Sequence, residues 1–372
     1  MSDAAAPLPE HVDVLVLGAG QAGLAAGYWL TREPGLRVLV VERGGVGQSW
    51  LDRWDSLVLF TPRSFSSLPG LPFPSGRTRS PDRSEFAAYL RAYAERFDLP
   101  VRTGVDVHLL RGQDGAFVAE TSQGAVRAAH VVVATGPFQR PHVPEAADAL
   151  APEVVQLHSY GYRSPAQLPA GDVLVVGGGN SAAQLAVELA ATHWVTVASP
   201  GPPWYLPVSL LGVDLYWWTW LTGVLDARSD SRVARYVQRR GDAVVGTELR
   251  ELVRAGTVRL LPHRVTGAHG RCVRLADGSA LAVSSVLWCT GFRPDTDWID
   301  VPGALDADGA PVHEAGASPV PGLHWMGLPW QTRLNSSIIH GTDGDAHALA
   351  RRVRARQAGT VDPLRSTRRP RG

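Results

Sequence analysis

Two stretches of this chain begin in the same way. Residues 14–23 read VLVLGAGQAG and residues 173–182 read VLVVGGGNSA. Each is an apolar run that breaks at glycine and continues into Ala-rich sequence. An apolar run without alternation marks a strand buried on both faces. A strand, a glycine turn and a helix in immediate succession open a βαβ unit, which must pair its strands in parallel. Val12–Leu17, the helix over 21–30 and the strand over 37–41 complete the first opening. The strand over 173–176, the helix over 181–191 and the strand over 194–198 complete the second. A buried run at 131–133 followed by ATG (Ala134–Gly136) closes the first unit, and a run at 285–288 followed by CTG (Cys289–Gly291) closes the second. The expected fold is therefore α/β, with two Rossmann-like dinucleotide-binding domains and the second inserted in the first. The expected boundaries are 1–165 and 296–355 for the first domain and 166–295 for the second, which carries a Trp-rich helical excursion over 203–255. A basic tail, 356–372, follows, and the arginine-rich run from 351 onward reads as frayed.

The glycines have separate duties. In Gly18, Gly20 and Gly23 the first permits the tight turn, the second lets backbone approach a pyrophosphate, and the third lets helix and strand pack closely. The helix N-terminus offers free N–H groups to phosphate oxygens. Glu42 ends the next strand, where a carboxylate accepts from ribose hydroxyls and repels a 2′-phosphate. This site is assigned to FAD or NAD. The second turn has Gly177, Gly179 and Ala182, and its matching strand ends in ASPGPP (198–203) with no acid. The loss of that repulsion admits NADP, and Arg228 or Arg232 is the available phosphate partner. Two dinucleotides on one chain fit a flavin that a nicotinamide must reduce.

Composition removes other classes. The 36 basic residues are all arginine, so no lysine Schiff base can form. The two cysteines, Cys272 and Cys289, make no CxxC pair and suit a reducing cytoplasm. A net charge of +1 gives no general attraction to nucleic acid. No metal-ligand spacing is found around His158. Residues 206–225, LPVSLLGVDLYWWTWLTGVL, have the length of a spanning helix, about 20 residues. Pro207, Gly212, Asp214 and Gly223 interrupt it, so it reads as a buried helical excursion beside a substrate cavity, with peripheral membrane contact left open. A Pro-rich ordered loop is expected over 61–82, a helix over 84–97 and a small meander over 101–130.

With these motifs in order, the chain resembles the single-component flavin-containing monooxygenases, in particular a compact bacterial branch similar to the plant YUCCA enzymes. The resemblance spans about residues 10–355 and rests on GAGQAG, VVERGGVGQSW (40–50), SSLPGLPFP (66–74), VVVATGPFQRPHVP (131–144), HSYGYRSP (158–165), VVGGGNSAAQLA (175–186), CTGFRPD (289–295) and GLHWMGLPWQTRLNSSIIHGTDGDA (322–346). It implies that Gly18, Gly20, Gly23 and Glu42 hold FAD and that Gln48, Ser49 and Trp50 lie along the flavin. It implies that Gly177, Gly179, Asn180 and Ser181 hold the nicotinamide cofactor. Thr135–Gly136 and Thr290–Gly291 match the hinge turns, and Asp345 lies where the family closes over the flavin. His158 and Tyr162 match the tail of the family's identifying motif, whose Phe and Gly are Pro152 and Val154 here.

The resemblance also implies a reaction. NADPH, with NADH as the alternative, reduces FAD. O2 then gives a C4a-(hydro)peroxyflavin that passes one oxygen to a small molecule, by S- or N-oxygenation or carbonyl attack, and the Trp-rich insertion hints at an aromatic or lipophilic substrate. Arg63, Asn335 and His340 are the candidate catalytic residues. The motifs report cofactors and not the fate of oxygen. An NAD(P)H oxidase or reductase, or a Baeyer–Villiger enzyme, would carry the same turns.

Overall fold

The computed structural model describes residues 7–241 and 243–359. Strand β1 (His11–Leu17), helix α1 (Gln21–Leu30) and strand β2 (Val38–Glu42) open the chain. Helix α2 (Gln48–Leu51) and helix α3 (Arg83–Arg96) follow, then strands β3 (Val101–Thr103), β4 (Val107–Gln113), β5 (Ala116–Thr121) and β6 (Gly124–Val133). The larger sheet has eight strands. Its path runs from Ile299–Asp300 through β4, β5, β6, β1 and β2 to β3, and Leu323–Trp325 joins beside β6. Alternation along β1 sorts its side chains between two cores. Val14 and Val16 enter one, with α1 and α3; Leu15 and Leu17 enter the other, with Phe117 and Trp325. Both faces are covered, as the unbroken apolar run requires.

Strand β7 (Arg140–Pro141) lies in the crossing to the second sheet, which contains β8 (Val155–His158), β9 (Asp172–Val176) and, after helix α4 (Asn180–Leu189), β10 (Trp194–Ala198). Its order is Val258–Leu261, β10, β9, Ser285–Trp288, β8, and every pairing is parallel. The same sorting recurs: Val173 and Val175 face one core, Leu174 and Val176 the other. The return crossing pairs Phe292–Arg293 with β7, so the two passages between the sheets run side by side.

The structure corrects four expectations. The buried run at 131–133 is not a separate strand. It is the end of ten-residue β6, which pairs antiparallel with β5 through its first half and parallel with β1 and Leu323–Trp325 through its second. Strand β3 leaves the meander and pairs parallel with β2. The stretch 206–225 is not one buried helix: a hairpin, Ser209–Leu210 against Val213–Asp214, precedes a seven-residue helix, Leu215–Leu221, because Gly212 turns the chain with φ 77°. Arginine-rich 351–357 is not frayed either. It completes the helix Thr342–Gln357, which packs on α1 and buries Arg352 and Val353. Of the expected tail, 360–372 lie outside the described residues.

Helix α3 begins where the sequence places it, within one residue. Asp82 accepts from the N–H groups of Ser84 and Glu85, and Glu85 reaches back to the Asp82 N–H, a capping box. Phe86, Leu90 and Tyr93 face the core.

Candidate functional site

The two glycine turns share two backbone contacts. Gly18 donates to the Val41 carbonyl and Gly177 to the Ala198 carbonyl, both at 2.8 Å. Ala134 donates to the Leu17 carbonyl at 2.9 Å, and Cys289 donates to the Val176 carbonyl at 2.8 Å. Gly18 has φ 104° and Gly177 φ 145°, a region that disfavours a side chain. A Cβ on Gly18 would stand 2.7 Å from the Ala134 oxygen, and one on Gly177 would stand 2.3 Å from the Cys289 oxygen. Each closing turn, ATG or CTG, therefore lies against the first glycine of its own unit.

The middle glycines differ from these. A Cβ on Gly20 or on Gly179 would meet nothing within 4 Å. Each caps a ten-residue helix that has no side-chain cap, in contrast to α3 with its Asp82. Two uncapped helix N-termini, each approached over open glycine at the end of a parallel strand, fit two pyrophosphates. Here the residues present suit the dinucleotides that the sequence implies.

Register identifies what separates the two turns. Leu17 pairs with Val41 and Val176 pairs with Ala198, so Glu42 and Ser199 hold the same place. Glu42 Oε2 accepts from the Ala19 N–H at 2.8 Å, and Oε1 accepts from the Gly44 N–H at 3.0 Å. Both oxygens retain a lone pair for ribose hydroxyls. Ser199 instead donates its hydroxyl to the Gly201 carbonyl, and its Cβ lies against Gly178. Arg228 pairs with Asp230, and its backbone bridges to Arg333 in the return segment. Arg232 is exposed.

Other candidates take the following places. Gln48 Nε2 donates to Asp52 at 2.8 Å, Ser49 is exposed, and the Trp50 indole donates to Gln21, first residue of α1, at 3.4 Å. The Trp50 ring sits edge-on to Phe86. Asn180 uses both ends of its amide: Nδ2 donates to the Ala243 carbonyl and Oδ1 accepts from Val245 N–H, each at 2.9 Å. Its side chain ties α4 to the strand Val244–Val245. Ser181 opens α4 beside it, half-buried. Arg63 donates to the Thr78 carbonyl at 3.0 Å, to Thr78 Oγ1 at 2.9 Å and to Glu85 at 2.5 Å. The guanidinium is engaged in fixing the 74–78 loop to the start of α3. His340 stands edge-on to Phe65, 5.2 Å between ring centroids.

The hinge turns lie together. Gln139 donates to the Thr135 carbonyl and accepts from Asp295 N–H, so one amide spans both crossings. Gly136 has φ 75° and Gly291 φ 86°. Thr290 donates its hydroxyl to the His142 carbonyl. His158 Nδ1 accepts from the Tyr160 N–H, so the proton is on Nε2, which donates to the Gly291 carbonyl at 3.0 Å. Desolvation, chiefly, lowers the His158 pKa and keeps the ring neutral. Tyr162 is buried and donates to Glu188. On the second side, α4 packs on Trp54 and Leu57, and Gln184 donates to the Val58 carbonyl at 3.1 Å. The second turn is thereby held against the first half of the chain.

The return segment closes the site. Asp345, in the first turn of Thr342–Gln357, is buried; Thr332 donates to its Oδ1, and burial raises its pKa. Asn335 donates to Asp226 at 2.9 Å, and Arg333 also reaches Asp226. Arg79 binds Asp214 through Nε and Nη2. These two links join the excursion to the first domain's loops, and sequence reading missed both. Phe65, Tyr216 and Leu225 pack between them. A cleft of about 430 Å³ opens there, lined among others by Arg63, Phe73, Arg79 and Trp217.

Among the described residues no group of His, Cys, Asp or Glu could hold a metal ion. The cysteines stand apart, Cys272 exposed on a strand and Cys289 beside Gly177, where desolvation raises its thiol pKa. Among the described residues no helix is long and apolar enough to cross a membrane.

Fold and site together define a flavoprotein oxidoreductase with two dinucleotide sites. The family model for pyridine nucleotide-disulphide oxidoreductases matches residues 15–218, and the chain belongs to that family. It is 41% identical to the CzcO-like oxidoreductase of Geobacillus kaustophilus, over 91% of this chain and 97% of that one. It is 27% identical to the indole-3-pyruvate monooxygenase YUCCA8 of Oryza sativa, over 82% of each. A flavin-containing monooxygenase from Stenotrophomonas maltophilia superposes with a TM-score of 0.77 at 28% identity, covering 94% of this chain and all of that one. The chain is an enzyme, a flavin-dependent oxidoreductase, and the resemblance to single-component flavin monooxygenases holds in structure as in sequence.

Proposed function

We propose that the chain is an FAD-dependent, NADPH-using monooxygenase of the cytoplasm that inserts one oxygen atom of O2 into a small organic molecule. The observation that carries this reading is the register match of Glu42 with Ser199 beside two turns of the same strand–glycine–helix plan. An acid at the first suits the ribose of FAD. A hydroxyl at the second leaves room for a 2′-phosphate.

In this reading Gly20 and the start of α1 carry the FAD pyrophosphate, and Glu42 accepts from its ribose. Gly179 and the start of α4 carry the nicotinamide dinucleotide. One acceptor of the return segment, Asn335 Oδ1, is buried without a partner. An unmet buried acceptor costs about 1–3 kcal/mol, so donors from cofactor or substrate would find use there. Bound flavin would supply hydride acceptance and oxygen activation, chemistry that no side chain here offers. The sum is balanced: NADPH, a proton, O2 and substrate give NADP+, water and the oxygenated substrate. The chain's own task is to orient the two cofactors and exclude water. In this reading the rings of Phe73 and Trp217 in the cleft wall would take an aromatic substrate, beside the polar side chains of Arg63, Thr78 and Arg79.

The test is turnover with an aryl methyl sulfide as probe. Sulfoxide formed in step with NADPH consumed supports the reading. NADPH consumption with equivalent hydrogen peroxide and no sulfoxide, for this probe and for amine and ketone probes, would favour an oxidase.

A further inference from the structure

The Trp-rich excursion presents apolar side chains outward. Leu210, Leu211, Val213, Trp217, Trp220 and Leu221 are all exposed, Leu211 at 86% and Leu221 at 70%. They form one surface. The Trp218 indole donates to the Leu210 carbonyl at 3.0 Å and binds hairpin to helix. Trp217, Trp220 and Leu221 are spaced three and four apart, on one helix face, and the Trp217 and Trp220 rings meet edge-on. Leu211 holds φ 53° at the hairpin apex, a conformation leucine seldom adopts. A contiguous apolar patch of this kind marks an interaction site.

The charges around the patch are sorted by sign. Of the three acids between 209 and 240, Asp214 pairs with Arg79 and Asp226 with Asn335 and Arg333, all from the first domain, and exposed Asp230 is paired with Arg228. The next helix, Arg232–Arg240, buries only Ala234. It exposes Arg232, Arg235, Arg239 and Arg240, with Val233 and Tyr236 among them. An apolar tip rich in Trp and Leu followed by an unpacked cationic helix has the chemistry of a membrane-surface segment. A two-fold contact between copies through the whole region would bring arginine helices together and is disfavoured.

We propose that residues 209–240 dock the enzyme on an anionic lipid bilayer. Leu211, Trp220 and Leu221 enter the headgroup boundary, where Trp is favoured, and the arginines meet anionic headgroups. The seven-residue helix lies on the bilayer and does not span it. Trp217 belongs both to this surface and to the cleft, so the cleft mouth adjoins the bilayer.

The test is sedimentation of the flavin-loaded full chain with vesicles of phosphatidylcholine alone or with 3:7 phosphatidylglycerol to phosphatidylcholine. Binding to the mixed vesicles is expected, weakened by salt. The Leu211→Ser/Leu221→Ser variant should lose it while keeping its flavin and circular dichroism. Arg235→Gln should weaken it about fivefold. No binding, equal binding to neutral vesicles, or binding indifferent to these substitutions overturns the proposal. So does a wild-type dimer that the Leu211→Ser/Leu221→Ser variant converts to monomer, since the patch would then join two copies. None of these readouts requires turnover, so the surface and the monooxygenase reading fail separately.

Discussion

Gly23 lies so close to Gly18 that a Cβ on Gly23 would stand 1.8 Å from the Gly18 carbonyl oxygen. Gly20, between them in the same turn, has φ −77° and open space before it. The third glycine is therefore required by the fold, and the second is open for the pyrophosphate that the proposed function places there. Gly23→Ala should destabilise the protein severely, since the contact is with backbone that cannot move aside. Gly20→Ala should leave the flavin-free protein as stable as wild type and weaken FAD binding at least tenfold. Thermal unfolding of both apoproteins, with flavin titration of the second, checks this pair.

Glu42 should govern flavin retention. Replacement by Ala removes the acceptor proposed for ribose and leaves the Ala19 and Gly44 N–H groups without theirs. A hydrogen bond to a charged group contributes about 1.5–3 kcal/mol, so FAD affinity should fall by about ten- to a hundredfold. Flavin content after gel filtration measures it.

Ser199→Glu places an acid at the register position that Glu42 holds in the first sheet. The 2′-phosphate of NADPH would meet that charge and NADH would not. The expected result is a loss of at least tenfold in kcat/KM for NADPH with NADH nearly unaffected. Equal losses for both would show that this position does not read the 2′-phosphate.

Two buried histidines should make the first domain acid-sensitive. His130 Nδ1 and His324 Nε2 lie 3.4 Å apart between β6 and its neighbour Leu323–Trp325. Burial lowers His130 to about 4 and His324 to about 3, with Arg356 near both, Arg352 near His324, and Asp13 opposing at His130. An unfolded His titrates near 6.5. Below that pH the unfolded chain binds protons that the folded one refuses, so stability is lost as pH falls from about 6.5 toward 4 and is flat above 7. For His130 alone the window is worth about 3 kcal/mol. Urea unfolding at pH 7.5 and 5.0 should show the loss, and His130→Phe should reduce it.

What was legible in the sequence was local. The glycine turns, β1, α1, β2 and their second copies are each encoded within about thirty residues, and a buried parallel strand shows itself as an unbroken apolar run. The closing turns ATG and CTG were legible as a repeat, but their contact with Gly18 and Gly177 joins residues over a hundred apart. The Arg79–Asp214 and Asp226–Asn335 links were hidden for the same reason: two ordinary surface-type residues carry no sign of a partner so distant. Gln139 joins both hinges from an unremarkable loop position. The helix end at 351–357 misled by composition, because burial of Arg352 and Val353 against neighbouring elements outweighs a basic content.

In the proposed function the first turn holds a flavin that activates oxygen and the second holds the nicotinamide that reduces it. The most direct measurement is a stopped-flow spectrum of the NADPH-reduced protein mixed with oxygenated buffer. A transient absorbance distinct from oxidised flavin, shortened when an oxygen acceptor is added, is the predicted result. Direct return to oxidised flavin with one hydrogen peroxide per flavin, unchanged by any acceptor, would contradict it.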